Sequence, residues 1–325
     1  MKSTRTPASV LTVTACAAAL TLAACGGGGG SNSPLATSSS TGNAAGGGSG
    51  SASGGGGGQG IVVGSANFPE SQLIGAIYAG ALKAQGVKVS QKPNIGSREI
   101  YLAALKDGSI DLVPEYTGAL ALYYDQNAKI DNSQAVYNRL KKLIPARLEI
   151  LNRSAAEDKD SISVTAATAK KLHLKTIADL KGKARNLTLG APPEFKQRPQ
   201  GIPGLQKDYG VVFGSFRPLT GAALSNALKN GQIDAANIFT TDPSIVVDHF
   251  VVLKDPKGLF GVQNVVPLIV KSDVTPTVKN ALNAVSAKLD TRTLTKLNKQ
   301  VQVDHQDVNA VAQQFLKANG LDKPS

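Results

Sequence analysis

The sequence is 325 residues long, carries a formal net charge of +12, and contains two cysteines and no tryptophan. That length allows roughly two domains of ordinary size. The basic residues are scattered, with nothing denser than doublets such as Lys141-Lys142 and Lys170-Lys171, and no basic run is interleaved with aromatics, which argues against nucleic acid as a partner. Both cysteines, Cys16 and Cys25, precede the globular part, which therefore has no disulfide and no thiolate chemistry. His173, His249 and His305 lie far apart and share no ligand spacing, so neither a metal nor a cofactor is expected.

Residues 1–24 read as a signal peptide. Lys2 and Arg5 give a positive start, and the apolar stretch from Ala8 to Ala24 is too short and too weakly apolar for a good membrane span. The segment ends in Leu22-Ala23-Ala24-Cys25, which resembles the lipobox of bacterial lipoproteins. That resemblance implies cleavage before Cys25 and a lipid on it. Residues 25–60 are almost entirely Gly, Ser, Ala, Thr and Asn and cannot bury a core, so a disordered tether with a reach of roughly 30–35 Å is expected.

The folded part starts at Ile61. Ile61-Val62-Val63 predicts a short buried strand. Asn67 is a candidate helix cap, with Glu70 in the first turn and an apolar stripe through Leu73, Ile74, Ile77, Tyr78, Ala81 and Leu82. Gly86 ends that helix, Val87 to Lys92 alternates as a strand, and Gly96-Ser97 opens the next helix. The order is βαβαβ, the pattern of a parallel or mixed sheet with helices on its faces. Further on, a helix is expected near Ser133 to Ile144 and a strand at Leu148 to Leu151. Asn152 to Ala156 is read as a crossing, followed by a strand from Ser161 to Thr165 and a short helix around Leu174 to Leu180. Ala191 to Gly204 is a Pro- and Gly-rich loop, Val251-Val252-Leu253 is read as the return crossing, Val265 to Val270 as a strand, and Thr277 to Leu316 as helical.

One stretch is repeated. Ala104-Leu105-Lys106, Gly108 and Ile110-Asp111 match Ala227-Leu228-Lys229, Gly231 and Ile233-Asp234 far downstream. An aromatic and a threonine follow each Asp at the same distance, Tyr116-Thr117 and Phe239-Thr240. The separation is too long for a solenoid period. It fits two similar α/β lobes, lobe 1 from residues 61–153 plus 254–325 and lobe 2 from residues 154–253. Ligands bind beyond the carboxyl ends of such strands, so both aromatics are expected at a cleft between the lobes, the alternative being that they cap the core, and Thr117 and Thr240 beside them are candidate ligand-binding residues.

Five stretches carry a family resemblance across essentially all of the folded part: V-G-S-A-N-F-P-E-S-Q (63–72), A-L-K-D-G-S-I-D-L-V-P-E-Y-T-G (104–118), L-K-T-I-A-D-L (174–180), P-E-F-K-Q-R-P-Q-G-I-P-G-L (193–205) and I-F-T-T-D (238–242). Together they resemble the ProX/OpuC-type substrate-binding proteins of osmoprotectant ABC transporters. The resemblance implies a two-lobed type II periplasmic-binding fold that captures a small solute such as glycine betaine, choline, carnitine or proline betaine. It also implies delivery of that solute to a membrane permease. It puts Tyr116 and Phe239 at two ring positions of a cation cage, with Asp160 and Gln263 standing where further rings are usual. Arg198 falls on the family's arginine, either as a ligand contact or as a salt bridge that closes the lobes. Asn67 and Ser71 either bond the ligand or only cap the first helix. With two rings in place of four, weak glycine betaine binding is expected, leaving a polar, hydroxyl-bearing or ring solute as the alternative.

No G-x-S-x-G, H-E-x-x-H, G-x-x-x-x-G-K-[ST] or catalytic cysteine is present, so an enzyme is disfavoured. A cleft is poorly suited to a purely structural envelope lipoprotein. The expected state is a monomer held by its lipid at the outer face of the cell membrane. Two or more acyl chains give stable attachment where one is marginal. Membrane fractionation of Cys25→Ala should therefore find the protein released, and unchanged retention would count against the anchor.

Overall fold

A computed structural model describes residues 60–324. The expected signal peptide, the lipid on Cys25 and all but the last residue of the tether lie outside the described residues. Among the described residues no helix is long and apolar enough to cross a membrane.

The first lobe opens with β1 (Ile61–Gly64), α1 (Pro69–Ala84), β2 (Val89–Lys92), α2 (Arg98–Asp107) and β3 (Leu112–Tyr116), then α3 (Thr117–Tyr124), α4 (Ser133–Leu143) and β4 (Leu148–Ile150). The second lobe holds β5 (Ile162–Thr165), α5 (Ala166–Leu172), β6 (Thr188–Ala191), α6 (Ile202–Tyr209), β7 (Ser215–Pro218), α7 (Gly221–Lys229), β8 (Ala235–Asn237), α8 (Ser244–Val247) and β9 (Phe250–Val252). The chain then returns through β10 (Val265–Val270) to α9 (Pro276–Lys288), α10 (Thr291–Gln302) and α11 (Val308–Ala318).

Each lobe has one five-stranded sheet, ordered β2-β1-β3-β10-β4 and β7-β6-β8-β5-β9. In the first, β1 runs parallel to β2 and β3, and β10 runs antiparallel to β3 and β4. The second repeats the pattern, with β6 parallel to β7 and β8, and β5 antiparallel to β8 and β9. The repeated stretch is the α2–β3 corner of one lobe and the α7–β8 corner of the other. Gly108 (φ 80°) and Gly231 (φ 67°) both take the left-handed turn there, which a side chain would strain. The repeated aspartate also does the same work twice. Asp111 Oδ2 accepts from the Val62 N–H at 2.8 Å, and Asp234 Oδ2 accepts from the Thr188 N–H at 2.8 Å. Each carboxylate so ties the strand that follows it to a parallel neighbour, β3 to β1 and β8 to β6.

α1 differs from its expected one-sided stripe. Every residue from Leu73 to Leu82 is buried, because the sheet covers one face and α9 and α11 cover the other. A helix that is apolar all round belongs inside a core. The cap differs as well: Phe68 precedes the helix with no side-chain cap, and Pro69 fills its first turn. Ser97 stands before α2, but its hydroxyl donates to Glu99 rather than capping the backbone. Inside the expected 191–204 loop stand a 3-10 turn, Pro193–Lys196, and the start of α6.

Both crossings fall later than their expected places. Ser154 and Ala156 still donate to Val265 and Leu289 of the first lobe, Glu157 bridges to Asn264, and the Asp158 N–H donates to Gln263 O at 3.1 Å, so the chain leaves that lobe only after Asp158. Val251 and Val252 form the edge strand β9 of the second sheet instead of crossing, and Leu253, Leu259 and Phe260 belong to the second core. The first lobe is regained at Val262, whose N–H donates to Ile130 O at 2.8 Å. The strands and core of the second sheet thus take their residues from Ile162 to Phe260.

Hydrogen bonds to a charged partner contribute roughly 1.5–3 kcal/mol. Asp111→Ala and Asp234→Ala should each lower the unfolding free energy by about that much in denaturant titrations. The Asn variants, which keep an acceptor, should lose less. In distant lobes the two losses should add.

Candidate functional site

The carboxyl ends of β3 and β8 face a cavity between the lobes. From the first lobe it is lined by Asn67, Phe68, Glu70, Arg98, Tyr101, Tyr116, Gln263 and Asn298, and from the crossing and second lobe by Asp158, Asp160, Phe195, Arg198, Asn237, Phe239 and Thr241, with others. Phe68 enters just before α1 and touches both expected aromatics. Its ring centroid is 6.2 Å from Tyr116 and 5.3 Å from Phe239. The three rings form one aromatic surface that runs from lobe to lobe, and Tyr101 and Phe195 extend the apolar wall.

Beside the rings the wall is held by buried charge. The Arg98 guanidinium forks onto Glu115, Nε to Oε1 at 2.8 Å and Nη2 to Oε2 at 3.0 Å, and the same carboxylate accepts from the Tyr101 hydroxyl at 2.7 Å and the Tyr116 N–H at 2.8 Å. Every oxygen of this fully buried acid is thus answered, the condition under which a buried ion pair is tolerated. The Tyr116 hydroxyl donates to Glu70 Oε1 at 2.6 Å, which fixes the plane of its ring. Glu70 also accepts from the Thr241 hydroxyl and the Asn298 amide, and Asp158 accepts from the Thr241 N–H at 3.0 Å. Burial, then the negative charge of Glu70, pushes the Tyr116 hydroxyl well above the ordinary tyrosine value, so it stays a donor.

Of the sequence-derived candidates, Tyr116, Phe239, Asp160, Arg198, Gln263 and Asn67 line the cavity. Asp160 accepts from Asn237 at 3.1 Å, and burial raises its pKa against the opposing pull of Arg198. Arg198 reaches across the rim to Glu99 at 3.3 Å and lies 3.6 Å from Glu194, the lobe-bridging arrangement of its two readings. Gln263 spends its amide on the protein, accepting from Ala119 N–H at 2.8 Å and donating to Phe260 O at 3.0 Å. Ser71, Thr117 and Thr240 are not on the cavity wall. Ser71 accepts from the Ala66 N–H, Thr117 from the Asn264 N–H and Thr240 from the Lys159 N–H, so their hydroxyls pin loops that carry the wall.

The wall residues missed by sequence reasoning include Phe68, Glu70, Arg98, Tyr101, Asp158, Phe195, Asn237, Thr241 and Asn298. Phe68 and Glu70 stand in plain view in the N-F-P-E run, at a helix start that follows β1 as the site requires. Asn298 carries no such signal, since it reaches the cavity from the C-terminal helices. The acids on the wall outnumber the bases, and both arginines are already paired, so the cavity retains an attraction for positive charge.

A glycine betaine-binding protein of Escherichia coli K12, YehZ, is 29% identical over 279 residues, covering 81% of this chain and 92% of that protein. A carnitine transport binding protein of Listeria monocytogenes, OpuCC, is 26% identical, covering 80% of this chain and 86% of its own length. A crystal structure of a glycine betaine/carnitine/choline ABC transporter, 24% identical, superposes with a TM-score of 0.65 over 81% of this chain and all of the other, and shares the two-lobed fold. The family model for the substrate binding domain of the ABC-type glycine betaine transport system matches residues 59–318, and the chain belongs to that family.

Proposed function

We propose that the cleft captures a small solute carrying a methylated ammonium group, and that the chain delivers it to an ABC importer permease as a monomer anchored through Cys25 at the extracytoplasmic face of the membrane. The family is one of solute-binding transport proteins, not of enzymes. The observation that carries the solute reading is the ring surface of Phe68, Tyr116 and Phe239 beside carboxyls that no free base neutralises. A quaternary ammonium has no hydrogen-bond donor, and each ring face it meets contributes roughly 0.5–2 kcal/mol. Relatives named for glycine betaine and carnitine support the same chemistry. The expectation of weak glycine betaine binding rested on two rings, and with Phe68 between them it loses that premise.

A hydroxyl-bearing solute is the second reading, favoured by Asp160 and Asn237 on the second-lobe wall. Titration calorimetry separates the two. Glycine betaine should give saturable heat without turnover, and Phe68→Ala and Phe239→Ala should each weaken it by roughly two- to thirtyfold. Saturable heat with sorbitol and none with glycine betaine would favour the hydroxyl reading. The anchoring part of the proposal rests on Leu22-Ala23-Ala24-Cys25 alone.

A further inference from the structure

Glu70 and Asp158 are two carboxyls, each only 3% exposed, that meet where the lobes close. Glu70 sits in the first turn of α1 in the first lobe. Asp158 sits at the crossing: its own N–H donates to Gln263 O at 3.1 Å on the first-lobe side, while its side chain accepts from the Thr241 N–H at 3.0 Å and the Thr240 hydroxyl at 3.4 Å of the second lobe. Thr241 is shared: its N–H goes to Asp158 and its hydroxyl to Glu70. Asn298, from α10 of the first lobe, donates to Glu70 and also meets the Thr241 hydroxyl at 3.2 Å. Both carboxyls thus bind the same threonine. Two acids held together in a buried site keep a proton unless a base stands in for it.

The surroundings offer no base to replace it. β3 contributes the Tyr116 hydroxyl, which donates to Glu70. Behind it on α2 lie Tyr101 and Arg98, both committed to Glu115. The loop after β8 contributes Asp242, a further acid. At the crossing, Glu157 is paired with Lys159, and on α10 the exposed Lys299 is paired with Asp304. Among the described residues no Lys, Arg or His forms an ion pair with Glu70 or Asp158. The cluster is rich in acceptors even so, since Asn298 Oδ1 is buried without a partner. Burial raises the pKa of both acids, and the charge of Glu70 raises Asp158 further.

We propose that Glu70 and Asp158 form a one-proton clasp between the lobes: the closed cleft holds a proton between the two carboxyls, and the open cleft releases it to water. Opening breaks the Thr241 bonds to Glu70 and Asn298 and admits solvent. Both acids then ionise and one proton enters bulk, and closing takes one back. Both are positioning residues, acting through Tyr116 and Thr241. The sign follows from the direction of the shifts. The closed-state values lie above those of solvated carboxyls, so closure is favoured in full below the solvated range and loses ground as pH rises through the closed-state values. Between those limits one proton changes the closed-to-open ratio tenfold per pH unit.

The inference goes beyond the solute reading and is tested without solute. Spin labels on the full chain at the exposed positions Tyr123→Cys and Val246→Cys, in the Cys16→Ser, Cys25→Ser background, report the interlobe distance distribution. The closed population should dominate at about pH 5 and give way to a second population by about pH 8. In Asp158→Asn and in Glu70→Gln the new amide donates to the remaining carboxylate in place of the proton, so the closed population should persist at both pH values. If one variant fails to fold, the other carries the test. Wild-type populations that do not change with pH, or an amide variant that keeps the wild-type pH dependence, would overturn the clasp.

Discussion

A carboxyl taken out of water must be met by donors or by a proton, because an isolated buried charge is among the costliest groups a fold can carry. Glu70 imposes that demand at the point where α1, the end of β3, the loop after β8 and α10 converge. Meeting it draws together a tyrosine, a threonine and an asparagine distant in sequence. The rest of the site depends on that convergence. Tyr116 presents its ring at a fixed angle because its hydroxyl is held there. Phe239 lies opposite because Thr241, two residues on, is gripped from the first lobe. α10 joins the wall though none of its residues belongs to a strand end.

The two lobes reach this meeting point by the same construction. Each contains a βαβαβ unit whose third strand is stapled to the first through an aspartate after a left-handed glycine. Each pairs that third strand with an antiparallel strand next to a crossing, β10 after the unit in the first lobe and β5 before it in the second. Equivalent corners place equivalent strand ends at one opening, which is why the two aromatics that follow the repeated aspartates line one cavity, with Phe68 between them. The equivalence stops at the side chains. β3 runs through Tyr116 straight into α3, while β8 ends at Asn237, two residues short of Phe239. The threonine after each ring bonds the chain at a crossing, Thr117 to the Asn264 N–H and Thr240 to the Lys159 N–H.

Much of the fold was legible because its signals are local. The repeated corner, the glycines that end helices and the alternation of β2 each act over a few residues. The wall of the cleft was legible only where that repeat pointed to it, at Tyr116 and Phe239. Counting rings along the chain left Asp160 and Gln263 in ring positions and passed over Phe68, whose place depends on how α1 enters the cleft. Val251 and Val252 look alike as a crossing or as an edge strand. Pairing with β5 decides between them, and pairing is a tertiary fact. Asn298 had no signal at all, because a polar residue on an amphipathic helix reads as solvated until its partner is known.

β10 lies between β3 and β4 in the first sheet, yet it follows the whole second lobe in sequence. The lobe that starts the chain therefore cannot assemble its sheet until residues beyond 264 have arrived. Every strand of the second lobe lies within 162–252 and can pair before then. For a chain that emerges from its N-terminus, order of appearance and order of completion are reversed. The inserted lobe can be finished first, while β3 and β4 wait with exposed edges that tempt wrong pairings. A chain threaded across a membrane must spend that interval in the hands of a holding factor or pass through it quickly.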